Sequence, residues 1–263
     1  MFERHGSNNL VPAERIQDGA PRTDNGTVRI AEGDLARPRI LLEAGLIEEA
    51  QAELRALSRR ARGLRDRLAL AELYANTGDY HQPQRLVVDA YQEQLARGPA
   101  LEDLELWWHA WPAPFEEELQ SAALAGVETP SELVYAVMRE ESGYRPTVRS
   151  VSGALGLLQL MPETAERVAR ETRLPHFSVE DLFLPRVNIH LGAAYLDSLL
   201  ERFQGRASAA IGSYNAGPHA VARWIDGNQG IDDDLWVEEI PYDQTRGYVK
   251  RVLRSMYAYQ VLY

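Results

Sequence analysis

Two adjacent glutamates close an otherwise apolar stretch, VYAVMREESGYRP, residues 134–146. A carboxyl group in such a place has two fates. It is ion-paired with a neighbouring cation, here Arg139 or Arg145, and serves the core. Alternatively it is stripped of water and kept protonated near neutral pH, which makes it a general acid. Residue types alone leave both readings open.

The helix that carries the pair has readable ends. Thr129-Pro130-Ser131-Glu132 has the form of a capping box with proline at the first helical position. Gly143 supplies a left-handed stop and Pro146 prevents continuation, so the helix is expected to end near Ser142. At about 100° per residue, Glu141 falls near the centre of the stripe made by Val134, Val137 and Met138, whereas Glu140 lies roughly 100° away at its edge. Burial and the partial negative charge at a helix C-terminus both disfavour an ionised Glu141.

Further elements must position this residue. Asn188 reads as the N-cap of a helix through IHLGAAYLDSLLERF, helices follow through ASAAIGSY and, opened by Pro218, HAVARWI, and a last one runs through TRGYVKRVLRSMYAYQVLY. No convincing period-two run accompanies them, so the expected fold class is all-α. Upstream, RILLEAGLIEEAQAELRAL and RLALAELYANTGDYHQPQRLVVDAYQEQ show helical periodicity around Gly45 and Gly78. These glycines are 33 residues apart, the spacing of stacked helical hairpins, with two unrelated hairpins as the alternative. The expected organisation is a mostly irregular segment over 1–36, a helical repeat module over 37–111, and a catalytic domain over 112–263. The aromatic, proline-containing WWHAWPAPF marks the junction.

Composition narrows the classes of function. With 263 residues, 45% of them hydrophobic, the chain can bury a substantial core beside a smaller module. A net charge of -11 argues against nucleic acid or an anionic membrane as main partner. Zero cysteines exclude a thiolate metal site and a cysteine nucleophile. His109, His176, His190 and His219 lack ligand spacing, so no metal and no cofactor is expected. The first thirty residues contain no apolar run of signal-peptide or membrane-span length, and no membrane-spanning segment is expected.

EESGYRP, SVSGALGLLQLMPETA, SYNAGPHAVARW and VEEIPYDQTRGYVKRVL, in this order, resemble the successive motifs of the soluble lytic transglycosylases. The resemblance covers about 112–263. It implies a goose-type lysozyme-like fold, a location in the periplasm or cell envelope, and peptidoglycan glycan strands as substrate, with the helical module a candidate surface for cell-wall protein partners. By position it implies Glu141 as the single catalytic acid/base, and Ser150, Gln159, Met161, Tyr214, Asn215 and Glu238 as substrate-binding residues. Tyr214 and Gln159 would position the sugar and support Glu141. Ser150 would bond the N-acetyl group or Glu141, and Glu238 would be structural or sugar-orienting. Leu155, Leu158 and Glu239 depart from the family pattern. The alternatives are a hydrolytic muramidase on the same fold and a non-catalytic murein-binding scaffold. Each matched residue also has a plain structural reading: Gly153 and Gly156 permit turns, Gln159 satisfies backbone groups, Met161 packs, and Tyr214 caps a turn.

Overall fold

The computed structural model describes residues 30–227 and 230–263, which fold as two compact units, one up to Pro112 and one from Ala113 onward. Among the described residues the regular structure is helical, with two isolated β-bridges.

The first unit contains α1 (Glu32–Glu43), α2 (Ile47–Ser58), α3 (Leu64–Ala75), α4 (His81–Val88), α5 (Gln92–Leu95) and α6 (Leu104–Ala110). Gly45 (φ 73°) and Gly78 (φ 78°) each follow the first helix of a hairpin, in the left-handed region where a side chain would be strained. Leu54 and Val87, one 33-residue step apart, are both fully buried on the second helix of their pair. The two hairpins therefore share a register as well as a spacing. The irregular segment expected over 1–36 is corrected at its end. Helix α1 begins at Glu32, because the Asp34 carboxylate accepts the otherwise unpartnered Ala31 N–H at 3.0 Å and so closes a first turn that lacks apolar periodicity. Residues 1–29 lie outside the described residues.

The second unit contains α7 (Glu116–Leu124), α8 (Ser131–Glu141), α9 (Pro162–Glu171), α10 (Pro185–Arg202), α11 (Ala207–Ala216), α12 (Pro218–Asp226), α13 (Asp233–Glu238) and α14 (Asp243–Leu262). Helix α10 is the central element and packs against α7, α8, α9 and α11. Val134, Val137 and Met138 of α8 are all fully buried, so the stripe that ends at Glu141 is a core face. The helix ends as its sequence requires, with Ser142 at the C-cap and Gly143 at φ 56°. Its start differs from the capping-box reading. Pro130 is extended and forms the N-cap, which leaves Thr129 outside the helix, where its hydroxyl donates to the Ala193 carbonyl of α10 at 2.9 Å.

Between α8 and α9 the chain makes a double turn over 148–160. It is closed by the pairing of Leu155 with Leu160 (N···O 2.9 and 3.1 Å) and by Gly156 N–H to Val148 C=O at 2.9 Å. This turn is locked from below by Asn188, which is not an N-cap as expected: α10 begins at Pro185, and Asn188 lies in its first turn, fully buried. Its Oδ1 accepts Leu158 N–H at 2.7 Å, and its Nδ2 donates to the carbonyls of Leu155 at 3.0 Å and Leu182 at 2.8 Å. A Cβ at Gly156 would lie 2.3 Å from Asn188 Nδ2, and one at Gly192 would lie 2.3 Å from Leu158 Cδ1. Leu155 and Leu158 are buried, so these departures from the family pattern are core residues beneath the turn.

Replacing Asn188 by alanine strands the Leu158 N–H of the turn and the Leu182 carbonyl before α10, and leaves the Leu155 carbonyl with the Leu160 N–H alone. A loss of about 3 kcal/mol of stability is expected, measured as a shift in the urea unfolding midpoint of the purified chain. Replacement by aspartate should cost a similar amount, because its carboxylate cannot donate to the Leu155 and Leu182 carbonyls.

Candidate active site

The two glutamates of the opening motif have separate environments. Glu140 is the ion-paired acid: Arg139 approaches its Oε1 at 3.0 Å and Arg251 of α14 its Oε2 at 2.8 Å, and its side chain is 10% exposed. Glu141 has no ion pair among the described residues. It accepts a hydrogen bond from the hydroxyl of Tyr248 on α14, O···O 2.7 Å. Burial, the largest cause, raises its pKa from the ordinary 4.5 to about 7, with the Tyr248 bond acting downward and the Glu140 charge upward. The carboxyl group is therefore about half protonated at neutral pH, which is the condition for giving and reclaiming a proton.

Tyr214 of α11 belongs to the same cluster. Burial is the main cause that holds its phenol and that of Tyr248 well above the ordinary tyrosine range, and the Glu141 charge adds to it in both. Both stay protonated as neutral donors. The Tyr214 hydroxyl donates to Leu158 C=O at 2.7 Å, and its ring lies 5.3 Å from that of Tyr195 in a tilted arrangement. It buttresses the double turn; the direct hydrogen bond to Glu141 is made by Tyr248.

Gln159 sits on that turn at φ 46°, with its Nε2 donating to Val148 C=O at 3.1 Å and Gly156 C=O at 2.8 Å. Its amide thus satisfies backbone groups. Ser150 Oγ accepts Ala154 N–H at 2.9 Å and shapes the far end of the turn. Met161 directly precedes α9 and is 43% exposed, so it is a surface side chain at the end of the turn. Asn215 is exposed near the end of α11, where its Oδ1 accepts the Thr245 hydroxyl at 2.9 Å, tying α11 to the first turn of α14. Glu238 is not brought to the cluster. It is an exposed residue at the end of α13, ion-paired with Lys250 at 2.7 Å, and Lys250 lies about 200° around α14 from Tyr248.

Tyr248 and Arg251 are the contributors that motif matching left out. The available signal was a tyrosine beside the apolar stripe Val249, Val252 of the last helix, since a buried phenol needs a hydrogen-bond partner. Among the described residues no group of three or more His, Asp or Glu could hold a metal ion.

Two measurements test the electrostatics. The raised pKa of Glu141 means that the folded protein binds its proton more tightly than the unfolded chain. Its contribution to stability is full below pH 4.5 and is lost as pH rises through about 7. Glu141→Gln should therefore gain up to about 3 kcal/mol over the parent above pH 7 and show no such gain below pH 4.5, read from denaturant melts across pH. Tyr248→Phe removes the bond that favours the carboxylate, so the Glu141 pKa should move upward in a carbon-detected NMR titration.

Comparison with known proteins places this geometry. Residues 118–237 match the model of the Transglycosylase SLT domain. The soluble lytic murein transglycosylase of Escherichia coli (strain K12) is 36% identical over 154 residues, which is 57% of this chain and 24% of that protein. The membrane-bound lytic murein transglycosylase C of Yersinia enterocolitica is 37% identical over 124 residues, 43% of this chain and 34% of that one. The solved 70 kDa soluble lytic transglycosylase of Escherichia coli superposes with a TM-score of 0.72 at 27% identity, over 94% of this chain and 38% of the other. The lytic transglycosylase Slt of Pseudomonas aeruginosa, solved as an inactive glutamate-to-glutamine mutant, gives 0.67 at 31% identity, over 89% of this chain and 36% of that one. The chain thus spans about a quarter of the length of its curated soluble relative. Residues 118–237 thus carry an SLT domain, and the second unit has the lysozyme-like fold of the soluble lytic transglycosylases it is similar to.

Proposed function

We propose that this protein is a peptidoglycan lytic transglycosylase of the cell envelope. It cleaves the β-1,4 bond between N-acetylmuramic acid and N-acetylglucosamine and leaves a 1,6-anhydro ring on the muramoyl product. The observation that carries this reading is the solitude of Glu141: a carboxyl group with a pKa of about 7, whose carboxylate neighbour Glu140 is held by two guanidiniums. Ordinary glycosidases need two working carboxylates, one as acid and one as base or nucleophile. Glu140 is bound to Arg139 and Arg251, so a reaction that uses one acid twice fits better.

In that reaction Glu141 donates its proton to the glycosidic oxygen as the C1–O bond breaks and positive charge develops at C1. The carboxylate so formed takes the proton of the C6 hydroxyl, and O6 closes on C1. Glu141 is protonated again and no water is consumed. Tyr248 holds the carboxyl in one orientation and stabilises its ionised phase without becoming charged itself. Tyr214 and Gln159 hold the double turn against which the sugar rests, Ser150 shapes the far end of that turn, and Met161 offers an exposed apolar contact at its near end. Asn215 fixes α11 to α14 beside Tyr248. Glu238, ion-paired at the surface, is given a structural part. The helical hairpins of the first unit are the candidate surface for cell-wall protein partners.

The test is digestion of purified peptidoglycan followed by mass spectrometry of the released fragments. Products one water lighter than the hydrolytic ones are expected; products carrying that water would identify a muramidase. Glu141→Gln should lose nearly all turnover while remaining folded, since an amide cannot donate and then accept the proton. Glu140→Gln should keep most turnover at a stability loss of about 2 kcal/mol from the broken ion pairs. Binding of sacculi without release of fragments, unchanged by Glu141→Gln, would identify a scaffold instead.

A further inference from the structure

Glu141 is the last residue of α8, and two residues beyond it the chain turns left-handed twice in succession, at Gly143 (φ 56°) and Tyr144 (φ 64°). Glycine adopts that conformation freely, but a tyrosine is strained in it, so contacts elsewhere must hold it there. Tyr144 is buried, and its hydroxyl shares a hydrogen bond with the hydroxyl of Tyr259 on α14, O···O 2.5 Å, across 115 residues of sequence. The Tyr259 ring in turn stacks on Tyr135 of α8, with centroids 5.1 Å apart. The left-handed turn thus folds Tyr144 back toward a residue that precedes Glu141 on the same helix. Locally, Arg145 Nε closes the turn by donating to Ser142 C=O at 2.7 Å.

Tyr248 and Tyr259 stand about three helical turns apart, roughly 16 Å, and so leave α14 on the same side. Val252 and Ser255 are buried between them. The end of α8 is therefore fastened to this side of α14 at the Glu141 carboxyl by Tyr248 and at the following turn by Tyr259. Burial is the largest cause that holds the phenols of Tyr144 and Tyr259 above the ordinary tyrosine range, so both stay neutral while Glu141 titrates. The groups that act on the Glu141 charge are Tyr248 and Glu140, and Glu141 acts in turn on Tyr214. Neither Tyr144 nor Tyr259 is among them, which leaves the backbone as their route to the acid. The last turn of a helix lacks partners for its carbonyls and opens readily. Opening here would admit water to a carboxyl group whose proton is retained mainly by burial.

We propose that Tyr144 and Tyr259 are positioning residues for Glu141: their hydrogen bond holds the left-handed turn shut and so keeps the acid at the end of α8 buried against Tyr248. The inference rests on the reading of Glu141 as the proton donor.

Tyr144→Phe, Tyr259→Phe and the double variant test it. Each single variant strands one buried hydroxyl and should lower the urea unfolding midpoint, whereas the double variant strands none and should recover much of that loss. Positioning requires that the double variant keep the defect at the acid despite its recovered stability. In a carbon-detected NMR titration its Glu141 should titrate at lower pH than in the parent, opposite in sign to Tyr248→Phe. Fragment release from purified peptidoglycan at pH 7 should show kcat at least threefold lower, with KM within twofold of the parent. A double variant in which Glu141 titrates as in the parent, or in which KM rises and kcat does not fall, would overturn the proposal. Failure of the parent to release any fragments would instead remove the proposed function, and the NMR titration would still decide whether the pair positions Glu141.

Discussion

The proposed chemistry depends on one carboxyl group, Glu141, kept from ionising by its surroundings yet close to doing so. A glutamate in water is ionised at pH 7 almost completely. Burial at the end of α8 lifts Glu141 to about 7 against the pull of a 2.7 Å hydrogen bond from Tyr248. The two influences have different tasks. Desolvation sets the level of the proton, and the phenol sets the direction in which the carboxyl group faces while offering the ionised form a donor that carries no charge. A cation in place of Tyr248 would pull the pKa back down and leave the group unable to protonate a leaving oxygen.

Glu140 shows what the neighbouring position does with the same side chain. It occupies the same helical turn, about 100° further round, and its two oxygens are taken by Arg139 and Arg251. Its pairing with Arg251 fixes α14 to the end of α8. That contact lies three residues from Tyr248 on the same helix, so the ion pairs of Glu140 help to hold the donor that Glu141 uses. One acid secures the geometry, and the other, the proposed proton donor, lies within it.

The pattern along the chain made the local part of this legible. A stripe of Val134, Val137 and Met138 ending at Glu141, a glycine after Ser142, and two glycines 33 residues apart are all statements about neighbours in sequence, and each reappears as burial or positive φ. The partners that lie far along the chain were not legible in this way. Thr129 has the type and spacing of a capping residue, yet its hydroxyl goes to Ala193, 64 residues away. Asn188 looks like a cap and instead serves a turn 30 residues earlier. Tyr248 is 107 residues from the glutamate it touches. A residue type and its local spacing state that a hydrogen bond is needed; tertiary packing decides who receives it.

The placement of Asn188 explains why this part of the molecule tolerates so little change. A turn with positive φ at Gln159 and a glycine at 156 is locally strained or entropically costly, and left alone it would sample many conformations. Two hydrogen bonds to the turn from a single fully buried amide, which a third ties to the Leu182 carbonyl, together with contact distances that admit no side chain at Gly156 or Gly192, confine it to one. Tyr214 closes the same turn from above through Leu158. Because Tyr214 also lies in the electrostatic neighbourhood of Glu141, the rigidity of the turn and the environment of the acid are linked through one ring. Packing of α10 under the turn is thus part of how the proton is held, although no atom of α10 bonds to the carboxyl group among the described residues.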